Sequence, residues 1–206
     1  MSEHIPPALR TQFTALRMLL VLTVLTGIAY PLLVTGVGQA AFGHQANGSL
    51  VATDGRAVGS SLIGQRFDLP QQGASAQPKP DPRWFQPRPS AADYNPTASG
   101  ASNLGPNSAA LTATIRQRRA AVAAFDGVPP ASVPADAVTA SGSGLDPDIS
   151  PAYAHEQVAR VAKARGLSPS LVAHLVDQHT QPRVIGFLGN PRVNVLTLNT
   201  ALAALK

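Results

Sequence analysis

The sequence predicts an α+β protein with a single N-terminal transmembrane helix followed by one mixed helix/strand extracytoplasmic domain. Three observations carry that expectation. Residues 18–43, "MLLVLTVLTGIAYPLLVTGVGQAAFG", contain no charge over 26 positions, and about 20 residues at 1.5 Å each cross the hydrocarbon core. Downstream, three apolar-periodic segments open or close on capping residues, which predicts helices. Between them lie short apolar runs broken by Gly, Pro and Asp-Gly, which predict strands and turns.

The elements follow in chain order. Gly27 and Pro31 are compatible with a membrane helix, and Pro31 predicts a kink near Gly27, whose carbonyl loses its donor. A cleaved signal peptide is the competing reading, with "GQA" at 38–40 as a small-residue cleavage site. The apolar stretch is longer than the ~7–15 residues such a peptide uses. Arg10 and Arg17 precede the segment, and Arg56 is the only Lys or Arg in the 20 residues after it. The positive-inside bias then assigns residues 1–17 to the cytoplasm, 18–43 to the span and 44–206 to the extracytoplasmic side.

Residues 44–69 read as short extended pieces, with Asp54-Gly55 as a two-residue turn. Residues 70–107 form a Pro-rich irregular segment, with eight Pro. Within it, 70–80 reads as flexible, and 83–107 as irregular chain pinned by Trp84, Phe85 and Tyr94. Residues 108–125 predict a helix with Leu111, Ile115, Val122 and Phe125 on one stripe. Asn107 or Ser108 caps it, Gly127 ends it, and Arg116, Arg118 and Arg119 form a solvated face. Ser150-Pro151 and Ser168-Pro169 each open a further helix, Ser as N-cap and Pro at the first helical position. In the first, Ala154, Val158, Val161 and Ala162 face inward, Glu156 pairs with Arg160 on the outside, and Gly166 ends it. In the second, Leu171, Val172, Leu175 and Val176 form the stripe. The tail reads as a strand pair, 183–188 and 192–196, turning at "GNP", then a helix 198–205.

No catalytic set emerges. The chain has no Cys, which removes disulfides, thiolate metal sites and Cys nucleophiles. The net charge of +5 rests on only 13% charged residues, too sparse for a nucleic-acid surface. "VAKARGLSPSLVAHLV" (161–176) has the outline of a helix-turn-helix, yet its second helix offers Ser168, Ser170, His174, Asp177 and Gln178 and no Arg or Lys. "GASNLGPN" (100–107) has the two-Gly spacing of a P-loop, with Pro106 and Asn107 where Lys and Ser/Thr belong. Ser143 lacks the nucleophile-elbow Gly two residues before it. His4, His44, His155, His174 and His179 show no metal-ligand spacing. Asp146 and Asp148 read either as a carboxylate pair or, more simply, as helix-entrance residues. An accessory or binding role therefore outranks an enzyme, with no catalytic or metal residues and no assignable cofactor-binding residues.

Six peptides, in order, add a resemblance: "YPLLVTGVGQAAF" (30–42), "QANGSLV" (45–51), "VGSSLIGQRF" (58–67), "RPSAADYNPTASGASNLGPNS" (88–108), "VPADAVTASGSGLDPDISPAYAHEQVARVAKARGLS" (133–168) and "GNPRVNVLTLNTALAAL" (189–205). Together they resemble the C subunit of Kdp-type potassium-transporting ATPases over nearly the whole chain. Two positions depart. The family's Tyr-Phe before Arg-Pro-Ser-Ala is Trp84-Phe85 here, and its Gly-Gly-Ser is Gly100-Ala101-Ser102, which matters if the second Gly needs positive φ. The resemblance implies a single-pass inner-membrane accessory subunit, non-catalytic by itself, in an ATP-driven potassium uptake complex. It implies as partners a channel-like potassium-binding subunit and a P-type catalytic subunit, besides membrane lipid. ATP is then bound through the catalytic subunit, whose nucleotide affinity the C subunit raises as a catalytic chaperone. The other class of reading is an independent anchored or secreted envelope binding protein.

Overall fold

The structure, a computed structural model, describes residues 6–70 and 78–205. Two compact units divide the chain, Met1–Ser49 and Leu50–Lys206.

The first unit is one long apolar helical run: α1 (Pro7–Val24), a π-turn (Leu25–Ala29) and α2 (Tyr30–Ala41), followed by the short α3 (Gly43–Ala46). The helix starts well before Met18, with Pro7 in its first turn, where a missing N–H costs nothing. The expected disturbance at Gly27 takes the form of the π-turn, in which the Tyr30 N–H reaches the Leu25 carbonyl. That wider turn lies directly before Pro31, which has no N–H to offer. From Leu9 to Ala41 the helix has a mean hydropathy of 2.1. Its large side chains, among them Leu19, Leu32 and Leu33, are exposed along its length. At about 50 Å it exceeds the hydrocarbon thickness, and the chain is a single-pass membrane protein.

The second unit is mixed. An antiparallel hairpin, β1 (Leu50–Thr53) and β2 (Arg56–Ser60), turns at Asp54 and Gly55, both at positive φ (51° and 74°). That is the two-residue turn anticipated from Asp-Gly. The register shifts after Val51, because Val58 is an extra residue on β2. Four helices follow: α4 (Ala109–Asp126), α6 (Pro151–Arg165), α7 (Pro169–His179) and α8 (Val195–Ala204), with one-turn α5 (Ala135–Val138) between the first two. A small antiparallel sheet runs in the order β3 (Asp148–Ile149), β5 (Arg192–Asn194), β4 (Thr180–Gln181). Helices α6, α7 and α8 all pack on central β5, and α4 lies against α6. The core between them is Phe85, Val138, Ile149, Val161, Val172, Val176, Val193, Leu198 and Leu202.

The caps fall where Ser and Asn invite them. Ser108, Ser150, Ser168 and Asn194 accept from the backbone N–H of Leu111, Tyr153, Leu171 and Thr197. Asn194 explains a correction. The β-branched run after Pro191 suggests a strand continuing to Leu196, but the Asn194 cap starts the helix at Val195. The strand pair also differs. Pairing joins Thr180 to Val193 and Gln181 to Arg192, while Val184 and Leu188 close a separate tip of their own. Residues 62–67 form no strand. The flexible reading of 70–80 falls mainly on 71–77, outside the described residues; Lys79 and Pro80 pair back to Leu69 and Asp68.

Candidate functional site

The irregular segment from Asp81 to Gly100 has no helix or strand of its own, so its backbone groups need other partners. Side chains supply them. The Phe85 N–H donates to Asn199 Oδ1 and Asn199 Nδ2 donates to the Phe85 carbonyl, both at 2.9 Å. One residue on, the Gln86 N–H donates to Gln157 Oε1 at 2.6 Å and Gln157 Nε2 returns to the Gln86 carbonyl at 3.1 Å. Each amide side chain thus imitates the peptide of a neighbouring strand. Only an amide can both donate and accept in this way. Phe85 is fully buried as a result, as expected for an aromatic pin.

Arg160 completes the clamp. Its Nη1 donates to the carbonyls of Pro82 (2.8 Å) and Trp84 (2.9 Å), its Nη2 to Gln157 Oε1 (2.6 Å) and its Nε to Asp126 Oδ1 (2.5 Å). The guanidinium also lies 4.4 Å over the Phe125 ring. The expected outward Glu156–Arg160 pair is therefore corrected: Arg160 is buried and its partner is Asp126 on α4. Local i,i+4 spacing permits a surface pair, but four hydrogen bonds, to two orphan carbonyls, the Gln157 amide and the Asp126 carboxylate, hold the side chain inside.

Next, residues 88–100 dock on 139–146. Arg88 donates to Asp146 Oδ2 at 2.9 Å and to the Thr139 carbonyl. Ser90 Oγ donates to the Gly144 carbonyl at 2.6 Å and accepts from the N–H of Ala92 and Tyr94. The Tyr94 hydroxyl donates to the Arg88 carbonyl. The Gly100 N–H and Ser99 Oγ both reach the Ser143 carbonyl. Gly144 sits at φ +70°, and a β-carbon there would run into Ala92 and the Gly100 carbonyl. Ala101, by contrast, has no positive φ, so the departure from Gly at that position carries no backbone strain.

Beside this docked segment lies a cleft of about 270 Å³, walled by Pro87, Val122 and Phe125 and rimmed by Arg66, Arg88, Arg118 and Tyr94. Its charges are largely matched: Arg66 meets Asp68 (2.6 Å) and Asp93 (2.5 Å), and Arg88 meets Asp146. Arg118 donates to the Val138 carbonyl at 3.2 Å. It is half-buried, not on the solvated face with Arg116 and Arg119, and burial pulls its pKa down. Burial likewise pushes the Tyr94 and Tyr153 hydroxyls up, keeping both protonated.

The other residues singled out from sequence are occupied structurally. Asp146 accepts from Arg88 and from the Asp148 N–H. Asp148 meets Arg192 at 3.0 Å and Asn194 at 3.2 Å, and burial raises its pKa. Ser143 Oγ accepts from the Leu145 N–H. His155 lies 3.0 Å from Asp177, and His179 Nδ1 lies 2.9 Å from the Leu175 carbonyl; His4 lies outside the described residues. Among the described residues no cluster of three or more His, Asp or Glu is set to hold a metal. Leu171, expected on the inward stripe of α7, is exposed. The clamp residues Asn199 and Gln157 escaped sequence reading, as did the inward role of Arg160. Their signal was present: a polar residue on the buried stripe of each helix, Gln157 beside Ala154, Val158 and Val161, and Asn199 beside Leu198 and Leu202.

Glu156 is the group left over. Its Oε1 is buried without a hydrogen-bond partner, as is Oδ2 of Asp126. Burial, then the negative charges of Asp126 and Asp136, push its pKa from 4.5 up to about 7. Below pH 4.5 both folded and unfolded chains hold this proton. As pH rises toward 7 the unfolded chain releases it first, so this contribution to stability is lost until the folded group also ionises. Glu156→Gln is expected to flatten that fall and to stabilise the chain at pH 8 by about 1 kcal/mol, after discounting for solvent screening. Urea midpoints at pH 5 and 8, read from Trp84 emission in detergent, check this.

Comparison with known proteins agrees over the same span. A family model described as "K+-transporting ATPase, c chain" matches residues 12–204. Proteins named potassium-transporting ATPase KdpC subunit are similar along their length. That of Streptomyces coelicolor is 50% identical, covering 100% of this chain and 97% of its own. That of Kineococcus radiotolerans is 54% identical (98% and 97%), and that of Sorangium cellulosum 56% identical (91% and 94%). An N-terminal membrane span, a mixed helix and strand unit and a match across nearly every residue together place this chain in the family of K+-transporting ATPase c chains.

Proposed function

We propose that the chain is a non-catalytic accessory subunit of an ATP-driven, high-affinity potassium uptake complex, where it stabilises assembly and promotes ATP binding by the P-type catalytic subunit. The observation that carries this reading is the family match over residues 12–204, made by a chain whose chemistry-bearing side chains serve internal bonds. Its partners in this reading are the catalytic subunit and a channel-like potassium-binding subunit in the inner membrane. Residues 1–17 face the cytoplasm and 44–206 the extracytoplasmic side, in keeping with Arg10 and Arg17 before the span.

That topology separates the folded unit from ATP, so its influence on nucleotide affinity is conformational. Two routes are compatible with the fold. The exposed apolar helix packs on membrane helices of the pump and biases its states. The soluble unit, rigid through its side-chain clamp, covers the ion entrance and holds the assembly together. The second is preferred, because the clamp at 82–86 and the docking of 88–100 on 139–146 fix the shape of a large loop surface.

Co-expressing the two large subunits with and without this chain tests the proposal. Without it, the ATP concentration for half-maximal hydrolysis is expected to rise at least about tenfold, equivalent to about 1.4 kcal/mol of coupling. Unchanged half-saturation together with intact assembly would refute the chaperone role.

A further inference from the structure

Between β4 and β5 the chain projects a tip that the rest of the fold does not cover. Val184, Ile185, Phe187 and Leu188 are 51%, 76%, 70% and 58% exposed. A soluble surface seldom groups four large apolar side chains within five residues unless something else covers them. The tip is also held in shape. Val184 and Leu188 exchange both backbone hydrogen bonds at 3.0 Å, and the Gly186 N–H reaches the Arg183 carbonyl at 3.1 Å. Ile185 sits at φ +47°, a conformation that β-branched residues rarely take and that folds keep mainly where it presents a functional side chain.

Charge and location point to one occupant. No Asp or Glu occurs after Asp177, while Arg183 and Arg192 flank the tip. Arg192 leans on Asp148 and Arg183 is exposed. The base of the hairpin is tied to the place where the chain enters this unit. Leu50, the first residue of β1, pairs with Ser60. The next carbonyl, of Ser61, accepts from Asn194 Nδ2 at 2.8 Å. Exposed Leu62 borders the same shallow depression as Gln181 and Arg192. Leu50 follows the end of the membrane helix at Ala41 by nine residues, a reach of at most about 32 Å. The unit that bears the tip is therefore tethered to the membrane span by a short connection.

We propose that the Val184–Leu188 tip seats in the headgroup–acyl boundary of the membrane that the chain's own helix spans. Its apolar side chains enter the boundary, and Arg183 stays among anionic headgroups. Docking into a protein pocket is the rival. The exposed Arg183 beside the tip and the short connection to the span favour lipid. The inference does not depend on the role in ATP turnover.

The test uses the full chain with Trp84→Phe and Phe187→Trp, reconstituted in vesicles of phosphatidylcholine and phosphatidylglycerol, with and without acyl-chain bromines near the headgroup. The tip tryptophan is expected to emit at shorter wavelength and to be quenched about twofold or more by the brominated lipid. Unquenched emission overturns the proposal, whether red-shifted, meaning solvent, or blue-shifted, meaning a protein cover. Phe187→Cys carrying an environment-sensitive label gives the same reading with Trp84 intact, since the chain has no native Cys.

Discussion

Gly144→Val is expected to cost about 4 kcal/mol of folding stability, while Gly142→Val, two residues away, costs under about 0.5 kcal/mol. Gly144 holds φ +70°, and a β-carbon there would lie 2.7 Å from the Gly100 carbonyl oxygen and 2.9 Å from Ala92 Cβ. The left-handed backbone alone costs roughly 1–2 kcal/mol for an L-residue. Forcing the docked 88–100 segment away adds about 1–3 kcal/mol of overpacking. A β-carbon at Gly142 would meet no atom within 4 Å, and the backbone there has no positive φ, so a substitution is an ordinary surface change. Urea midpoints of the detergent-solubilised chain, followed by the single Trp84, measure both. Equal losses at the two glycines would mean that loop docking does not support this fold.

Arg160→Met is expected to cost about 3–5 kcal/mol, the usual loss on breaking one side of a buried ion pair. The Asp126 side chain is only 1% exposed, so without its partner it stands as an uncompensated buried carboxylate. The carbonyls of Pro82 and Trp84 lose their shared donor at the same time. Adding Asp126→Asn removes the stranded charge and is expected to restore about 1–2 kcal/mol, a coupling that a double-mutant cycle reads directly. If the double variant is no better than Arg160→Met alone, Arg160 acts through the carbonyls and not through Asp126.

Both predictions concern contacts between segments far apart in sequence, and these were the least legible part of the chain. What was legible has local causes. Ser150-Pro151 and Ser168-Pro169 announced their helices because cap and first turn are neighbours in sequence. Asp54-Gly55 announced its hairpin for the same reason. Local reading failed where a long-range partner prevailed over a local one. Arg160 left Glu156 for Asp126 and the 82–84 backbone. Arg118 left its solvated face for the Val138 carbonyl. The run after Pro191 has strand composition, yet Asn194 caps a helix within it while its Nδ2 binds Ser61, 133 residues away.

"VTASGSGLDPDISP", residues 138–151, shows the division within one peptide. Sequence alone established that it holds no nucleophile elbow and that it ends on a helix cap. It could not distinguish Gly144 from Gly142, since the difference lies in Ala92 and Gly100, brought there by a Pro-rich segment with no periodicity. By itself, then, the sequence determined the membrane span, the helix starts, the absence of thiol chemistry and the family resemblance, because each depends on neighbouring residues or on their order. Only the tertiary structure decided which polar residues are buried, which glycine is indispensable and which apolar tip is left uncovered. Those depend on which distant groups meet, and hydrogen-bond satisfaction in the interior is settled only when the whole chain has closed around it.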